Sequence, residues 1–352
     1  MTRERPSVPT LRDVADAVGV HATTVSRALN PKTRSQVGAE TVKRIMKAAD
    51  SLGYRPNPIA RSLKTSRSAT VGLVIPDLTN PLFPPIVRGA EAVLEAAGYS
   101  ALIVNTDSDL VRERARVESL RSRQVEGFII ATALLDHPLL RELHEQGARM
   151  VLVNRKVETL QIPSVVSDDA DGIAQAVRHL VELGHVRIAH LAGPRTTSTG
   201  LLRARAFRHA VQDHDLPADP SLIVECTGWN EAAGARALAG LLDGGNAFTA
   251  VVAGNDLIAL GCYDVLAERG LSCPGDLSVV GFNDIPFLDK LRTPLTTVRL
   301  PHVDLGAEAA RMLIESIEDS GYRPRSLLLP ATLTVRASTT RPHTGQPSRT
   351  AR

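Results

Sequence analysis

The segment TLRDVADAVGVHATTVSRALN, residues 10–30, decides how the N-terminal part of the chain folds. Thr10 and Asp13 have the spacing of a capping box, which marks the start of a helix. Gly19 ends this helix, and a second short helical segment runs from about His21 to Leu29. Two short helices joined by a turn that contains glycine form the helix-turn-helix pattern. The predicted inward residues are Leu11, Val14, Ala15, Val18, Val25, Ala28 and Leu29.

A third helix is predicted from about 39 to 52, where Gly53 stops it. With this helix the N-terminal unit has just enough apolar residues for a small all-α core. An ordinary three-helix bundle without a nucleic-acid role would show the same periodicity, so the periodicity alone does not indicate DNA binding. The residues of the third helix that are predicted to face inward are Val42, Ile45, Met46, Ala49 and Leu52.

The outward face of the second helix favours DNA binding over the plain bundle. It offers small and hydrogen-bonding side chains around one arginine, which is what an element needs to approach base edges in the major groove. These outward residues are Ala22, Thr23, Ser26 and Arg27.

The distribution of charge points the same way. Residues 1–68 contain 13 Lys and Arg against 5 Asp and Glu, a net charge of +8. The remainder contains 28 against 33, a net charge of −5, so the overall +3 hides a basic head on a mildly acidic body. Such an asymmetry indicates that the head, and not the body, meets a polyanion.

The segment PNPIARSLKTSR, residues 56–67, follows the third helix. Asn57 can cap a helix and Pro58 suits its first position. A helix this short does not hold by itself in water. The segment is therefore predicted to be a linker that folds only on binding.

From about Ala69 the sequence alternates apolar runs typical of buried parallel strands with helical stretches. TVGLVI, SALIVNT, GFIIAT and RMVLVN belong to a first set, and SVVSD, RIAHLAG, LIVECT, AVVAGN and SVVGFN to a second. This alternation predicts β-α-β units in two doubly wound lobes. Because ligands of open parallel sheets bind beyond the carboxyl ends of the strands, the lobes are predicted to hold a ligand between them.

Polar residues recur just after these apolar strands. Any one of them is more often a turn or cap residue than a ligand group, because Asn and Asp favour turns. Their recurrence at strand ends strengthens the prediction of a site. They are Asp77, Asn80, Asn154, Arg155, Asp168, Thr199, Arg203, Trp229, Asn255, Asp256, Asn283 and Asp284.

Two other functional classes fit the body but not the head. An enzyme on doubly wound lobes is disfavoured because the chain has no G-x-G-x-x-G, P-loop, G-x-S-x-G or H-E-x-x-H motif. A periplasmic sugar-binding receptor would need a signal peptide and would lack the basic head. No catalytic residue and no cofactor are predicted, and Cys226, Cys262 and Cys273 lack the spacing of a disulfide framework or a zinc site. No apolar run approaches a membrane span, and the protein is expected in the cytoplasm, at the nucleoid.

The two head segments, TLRDVADAVGVHATTVSRALN and LGYRPNPIARSLKTSRS, resemble the lactose/galactose-repressor (LacI/GalR) family. The similarity continues to about residue 340 through GLVIPDLTNPLF, VEGFII, LGHVRIAHLAGP, AGNDLIALG, SVVGFNDIP and TPLTTVRLP. The resemblance implies a transcriptional regulator, and more specifically a repressor, with a helix-turn-helix head and a periplasmic-binding-protein-like body.

The resemblance also implies which residues contact DNA. The second helix would read the major groove, the linker would fold into a hinge helix in the minor groove, and Leu63 would wedge into the central base step. The residues expected to contact a pseudo-palindromic double-stranded operator are Thr10, His21, Ala22, Thr23, Thr24, Ser26, Arg27, Asn30, Ala60, Leu63 and Lys64.

For the body, the resemblance implies a chain that crosses between the lobes three times. The expected domains are a head over 1–55, a hinge over 56–68, the two-lobed domain over 69–340 and a disordered tail over 341–352. Lobe 1 would take about 70–165 and 297–324, and lobe 2 about 167–294 and 327–340. Positions implied to face a small-molecule effector are Phe83, Asn154, Thr199, Arg203, Trp229, Asn255 and Asn283.

Departures from the family pattern bear on the ligand. The family usually has serine at His21 and at Gly38, and many members have aspartate at Asn283. The last change removes a charge-assisted acceptor. Arg155 beside Arg203 then hints at an anionic effector such as a sugar acid, although a solvated rim residue is an equal alternative for Arg155. The C-terminus has no leucine heptad that could build a coiled coil, so a homodimer is expected.

Overall fold

The computed structural model describes residues 9–30, 33–55, 67–319 and 321–342. The chain divides into two compact units, Met1–Ser68 and Ala69–Arg352. The hinge residues Ala60, Leu63 and Lys64 and the tail from 343 onward lie outside the described residues.

The head contains the three predicted helices, α1 (Leu11–Val18), α2 (Ala22–Leu29) and α3 (Ala39–Leu52). The predicted capping box is confirmed. The backbone N–H of Thr10 donates to Oδ2 of Asp13 at 2.6 Å, and the Thr10 hydroxyl accepts from the Asp13 N–H at 3.4 Å. Gly19 then ends α1 with a φ of 71°, a left-handed conformation that glycine adopts without a steric penalty.

The core of the head is narrower than the periodicity predicts. Met46 and Leu52, which were expected to face inward, are 40% and 39% exposed. Helices α1 and α2 have only eight residues each and cover a narrow strip of the 14-residue α3. Tyr54, which directly follows α3, is buried in this core instead. The buried residues are Val14, Ala15, Val18, Val25, Ala28, Val42, Ile45, Ala49 and Tyr54.

Lobe 1 of the body is built on a six-stranded sheet whose strand pairs are all parallel. Its strands are β1 (Thr70–Ile75), β2 (Ser100–Asn105), β3 (Gly127–Ile130), β4 (Met150–Val153), β5 (Ser164–Ser167) and β11 (Ser326–Leu329), in the order β11-β5-β4-β3-β1-β2. One face is covered by α4 (Phe83–Ala96) and α11 (His302–Glu318), the other by α5 (Leu110–Ser122) and α6 (Pro138–Glu145).

Lobe 2 repeats this plan with one antiparallel edge strand. Its strands are β6 (Ile188–Ala192), β7 (Ile223–Glu225), β8 (Ala250–Ala253), β9 (Ser278–Asn283), β10 (Thr296–Arg299) and β12 (Thr332–Thr334), in the order β12-β10-β9-β8-β6-β7. Helices α7 (Asp169–Glu182) and α8 (Ser198–Asp213) cover one face, and α9 (Glu231–Asp243) and α10 (Asp256–Glu268) the other. Helices on both faces explain why the inner strands read as continuous apolar runs.

The chain crosses between the lobes after β5, after β10 and after β11. The second and third crossings lie later than the resemblance implied. Strand β10 belongs to lobe 2, although 297–324 was expected in lobe 1, and β11 belongs to lobe 1, although 327–340 was expected in lobe 2. Strand β10 adds to the sheet of lobe 2 beside β9, and β11 adds to the sheet of lobe 1 beside β5, before the chain crosses, which the apolar pattern of a strand cannot reveal.

Each lobe has a pair of helices that touch through glycine. A Cβ on Gly306 of α11 would lie 1.8 Å from the carbonyl oxygen of Ile86 in α4, and one on Gly261 of α10 would lie 2.0 Å from the carbonyl oxygen of Glu231 in α9. Real Cβ atoms do not approach oxygen this closely, so only glycine lets these helix backbones meet. In each lobe such a close-packed helix pair covers one face of the sheet.

Candidate functional site

The outward face of α2 carries the residues that were expected to read DNA. Thr23 and Arg27 are exposed, and Ala22, Thr24 and Ser26 are half-buried beside them. His21 caps α2 as the usual serine would, since its Nδ1 lies 2.8 Å from the Thr23 hydroxyl and accepts from the Thr23 N–H at 3.3 Å.

The two residues at the ends of this segment have local structural roles. The Thr10 hydroxyl is engaged in the capping box of α1, and Asn30 ends α2. Basic side chains hold the helix ends in place. Arg34 donates to the carbonyl of Ala28 at 3.0 Å and Arg44 to that of Val18 at 2.7 Å. These bonds satisfy carbonyl groups at the C-terminal ends of α2 and α1.

The body contains a small cavity between the carboxyl ends of the strands of the two lobes, the interlobe cavity. All eight predicted effector residues line it, so the structure brings the whole predicted set together. The volume open to a water-sized sphere is about 20 Å³, room for about one water molecule, so a sugar-sized ligand can enter only if the lobes or side chains move. The lining residues are Asn80, Leu82, Phe83, Asn154, Arg155, Thr199, Arg203, Trp229, Asn255 and Asn283.

Two hydrogen bonds join the lobes next to this cavity. The backbone N–H of Leu135 in lobe 1 donates to the carbonyl of Thr196 in lobe 2 at 2.9 Å. The N–H of Lys156 in lobe 1 donates to the hydroxyl of Ser198 in lobe 2 at 3.0 Å. Both bonds must break if the lobes separate, so they favour the closed arrangement seen here.

Arg203 projects from α8 into the interlobe cavity and is held on several sides. Its guanidinium donates to the carbonyl of Gly254 at 2.7 Å and to Oδ1 of Asp169 at 2.9 Å. The guanidinium carbon lies 3.8 Å from the ring centre of Phe282 and 5.7 Å from that of Trp229. These contacts fix the direction of the remaining N–H groups.

Asp169 is the functional residue that sequence reasoning missed. It forms a buried ion pair with Arg203 at 2.9 Å. Burial raises the pKa of Asp169, and the charge of Arg203 opposes that rise. The sequence held a signal, since Asp168 and Asp169 both follow strand β5. Asp168 accepts from the N–H of Asp171 and caps α7, which leaves Asp169 to face the interior.

Trp229, the only tryptophan of the chain, rests directly on Gly193. A Cβ on Gly193 would lie 2.1 Å from the indole ring, so glycine is required at that position. Asn255 holds the loop of Trp229 by donating to its carbonyl at 3.3 Å, while its own oxygen caps α10 by accepting from the Ile258 N–H at 2.8 Å. Asn255 therefore lines the interlobe cavity with both polar atoms in use.

Asn154 and Asn283 lie in backbone conformations that are rare for residues with a side chain. Their φ angles are 65° and 123°. Both side chains are buried, and Oδ1 of Asn283 has no hydrogen-bond partner among the described residues. Strained residues of this kind cluster at ligand-binding positions.

Arg155 is 8% exposed, so the alternative of a solvated rim residue is wrong. No described residue accepts a hydrogen bond from its side chain, and its Nε is buried. Burial lowers the pKa of Arg155 to about 10, with a further contribution from the charge of Arg203 and an opposing one from Glu113. The guanidinium is still protonated at neutral pH.

A wider groove of about 360 Å³ lies between α8 and β7 on lobe 2, away from the interlobe cavity. Three of its four charged lining residues, Arg195, Asp219 and Glu225, are already paired within the protein, and the fourth, Arg208, is exposed. Arg195 donates to Glu225 at 2.7 Å and Asp219 accepts from Arg187 at 2.8 Å. The interlobe cavity is therefore the better candidate for a ligand site.

Comparison with known proteins decides the family. Residues 10–57 match the bacterial regulatory proteins of the lacI family, and residues 177–339 match the periplasmic binding protein-like domain. The ribose operon repressor of Halalkalibacterium halodurans is 33% identical over 94% of this chain and 97% of its own length. The chain belongs to the lacI family.

Solved structures of similar regulators match nearly the whole length of the chain. The lac repressor dimer bound to operator and the anti-inducer ONPF is 27% identical, with a TM-score of 0.84, over 95% of this chain and 100% of that one. The complex of the transcriptional regulator CelR with cellobiose is 31% identical, with a TM-score of 0.72, over 94% and 99%.

Membership of the lacI family makes this chain a DNA-binding transcriptional regulator with an effector-binding body, and its relatives are regulators, not enzymes. Within the described ranges, no helix has the length and apolar character needed to cross a membrane. In the same part of the chain, no three His, Cys, Asp or Glu side chains are grouped so that they could hold a metal ion.

Proposed function

We propose that the chain represses transcription by binding a pseudo-palindromic operator as a homodimer, with α2 of each head in the major groove. One helix-turn-helix reads only a half-site, and two-fold symmetry doubles the contacts. The exposed Thr23 and Arg27 and the capping of α2 by His21 support this use of the helix. The protein would act in the cytoplasm, where operator DNA lies.

The proposed link between head and body is the segment around Ala60, Leu63 and Lys64. It would fold against the minor groove, with Leu63 as an apolar wedge that unstacks one base step. A change in the lobes could reach the operator through this segment. These three positions stay a prediction.

The proposed effector is a small polar molecule, a sugar or a sugar derivative, bound in the interlobe cavity. One observation carries this proposal. Four buried polar atoms without a protein partner in the described chain belong to residues that line this single cavity. A ligand that satisfied them would bind one lobe arrangement better than the other, and would thereby change operator affinity. The atoms are Nε of Arg155, Nε of Arg203, Nε1 of Trp229 and Oδ1 of Asn283.

A titrated gel shift with Arg203→Lys tests the coupling. Lysine keeps the charge beside Asp169 but loses the planar fork, so the variant should fold and bind operator normally yet lose the response to effector. With an inducer the variant stays on the operator when ligand is present, and with a corepressor it fails to bind. Arg205→Ala, an exposed arginine of the same helix, is the matched control. A full response in Arg203→Lys would contradict the assignment of the cavity.

The same assay tests the DNA interface through salt. The logarithm of the association constant should fall linearly with the logarithm of salt concentration, because the basic head releases counterions from DNA. Affinity that stays flat between 50 and about 200 mM salt, a range over which phosphate contacts normally lose several powers of ten, would contradict a phosphate-binding head.

A further inference from the structure

Arg155 lies two residues after the end of β4, and its side chain lines the interlobe cavity. Its guanidinium is more than nine-tenths buried and finds no hydrogen-bond acceptor among the described residues. Buried charges in proteins are almost always paired and hydrogen-bonded, because removing an ion from water is unfavourable. An unpaired buried arginine at a ligand cavity therefore indicates a partner that arrives from outside.

The charged groups that act on the pKa of Arg155 are Arg203 and Glu113, and both have other partners. Glu113 accepts from the hydroxyl of Thr132 and lies 3.2 Å from Nε2 of His137. Asp169 is paired with Arg203. Neither carboxylate makes a hydrogen bond or an ion pair with Arg155.

The rest of the cavity lining is neutral. Its only charged members are Arg155 and Arg203, and the charge of Arg203 is balanced by Asp169 behind it. The last residue of β9 is Asn283, whose side chain is a neutral amide. A carboxylate at this position would have added a negative charge to balance that of Arg155. The lining therefore holds one arginine, Arg155, that has no hydrogen-bonded carboxylate among the described residues, surrounded by amides and one hydroxyl that suit a polyhydroxylated molecule.

We propose that the effector carries a carboxylate, which binds Arg155 through paired hydrogen bonds, on a polyhydroxylated carbon chain or ring whose hydroxyls meet Asn154 and Asn283. The molecule is thus a sugar acid, an aldonate or a uronate. This rests on the proposed function of the interlobe cavity. A single guanidinium without a hydrogen-bonded acceptor matches the single charge of a carboxylate and its planar two-oxygen geometry.

The first test needs no ligand. Arg155→Met fills a similar volume without charge and should raise the melting temperature of the unliganded full chain by at least about 2 °C, because an uncompensated buried cation is removed. Arg195→Met removes an exposed arginine paired with Glu225 and should change the melting temperature by less than that. A fall in the melting temperature of Arg155→Met would show that Arg155 supports the fold, and would overturn the proposal.

The second test uses probes that differ only in charge. D-glucuronate and D-galacturonate are paired with D-glucose and D-galactose, D-gluconate with D-glucitol, and D-glucose 6-phosphate is added as a phosphate ester. Binding is read from Trp229 fluorescence and from melting temperature. In the wild type at least one acid should bind about tenfold or more tightly than its neutral partner, a difference of about 1.4 kcal/mol. Arg155→Gln should reduce this preference to less than about threefold, and Arg155→Lys should keep part of it.

The outcomes separate this proposal from the one it rests on. One outcome is that a neutral sugar binds wild type and Arg155→Gln equally and that its effect on operator affinity disappears in Arg203→Lys. This outcome leaves the proposed function intact and overturns the proposal that the effector carries a carboxylate. Preference for the phosphate ester overturns it in favour of a phosphorylated effector. A panel in which no acid changes Trp229 fluorescence or the melting temperature also counts against it.

Discussion

Replacing Asp169 by Asn removes one buried negative charge and keeps both the shape and an oxygen that can accept from Arg203. The two side chains are 6% and 3% exposed and their closest atoms are 2.9 Å apart. Removing one partner of a buried ion pair costs about 3–5 kcal/mol, because the other charge is left uncompensated. Arg203 keeps its bond to Gly254 and its contact with Phe282, so we expect the lower end, about 3 kcal/mol.

Urea and thermal unfolding of the full chain, followed by circular dichroism, measure this loss. A loss of about 3 kcal/mol corresponds to a melting temperature lower by roughly 6–12 °C for a domain of this class. Glu225→Gln is the matched control, since it neutralises an exposed pair with Arg195 and should change stability by less than about 1 kcal/mol. If Asp169→Asn unfolds at the same urea concentration as wild type, the ion pair does not stabilise the lobe and the reasoning is refuted.

Arg27→Ala should weaken operator binding by about 1–3 kcal/mol and leave non-specific binding nearly unchanged, because a side chain that contacts base edges is lost; equal losses on operator and random DNA in a gel shift would assign Arg27 to phosphate. Gly193→Ala should displace the ring of Trp229, since the new Cβ would lie 2.1 Å from it, and an unchanged emission spectrum would show that the ring does not rest there. Burial lowers the pKa of His190 to about 4, so the unfolded chain binds the extra proton between pH 6.5 and 4 and stability falls as pH falls through that window. Between pH 7.5 and 5 the wild type should lose about 2 kcal/mol more than His190→Gln, and parallel stability curves for the two proteins would contradict this.

Much of the fold could be predicted because its signals are local. The capping box at Thr10 and the glycine that ends α1 depend on residues three to nine positions apart, and the structure has both. Apolar runs marked the strands for the same reason. Met46 and Leu52 were misplaced because periodicity gives the direction of a side chain and not the width of the surface that covers it.

The residues that line the interlobe cavity could be predicted from the sequence, but the pairing of their charges could not. Every predicted effector residue lines it, because the ends of parallel strands converge whatever the loops contain. The pairing of Arg203 with Asp169 depends on how α7 and α8 pack against each other within lobe 2, and the lack of a partner for Arg155 among the described residues depends on how the two lobes meet. Those distances are set by side chains far apart in the sequence.

The interleaved crossings have a consequence for how the chain is made. Strand β11 completes the sheet of lobe 1 beside β5, and α11 packs against α4 on one face of that sheet. Both β11 and α11 come after residue 300 in the chain. While the polypeptide leaves the ribosome, lobe 1 keeps an open strand edge and an uncovered apolar helix until almost the whole chain has been synthesised. Open edges and bare apolar faces invite aggregation, so the late synthesis of β11 and α11 lengthens the time during which lobe 1 is exposed to it. A stop codon near residue 300 would remove only the last part of the gene and would leave both lobes unfinished.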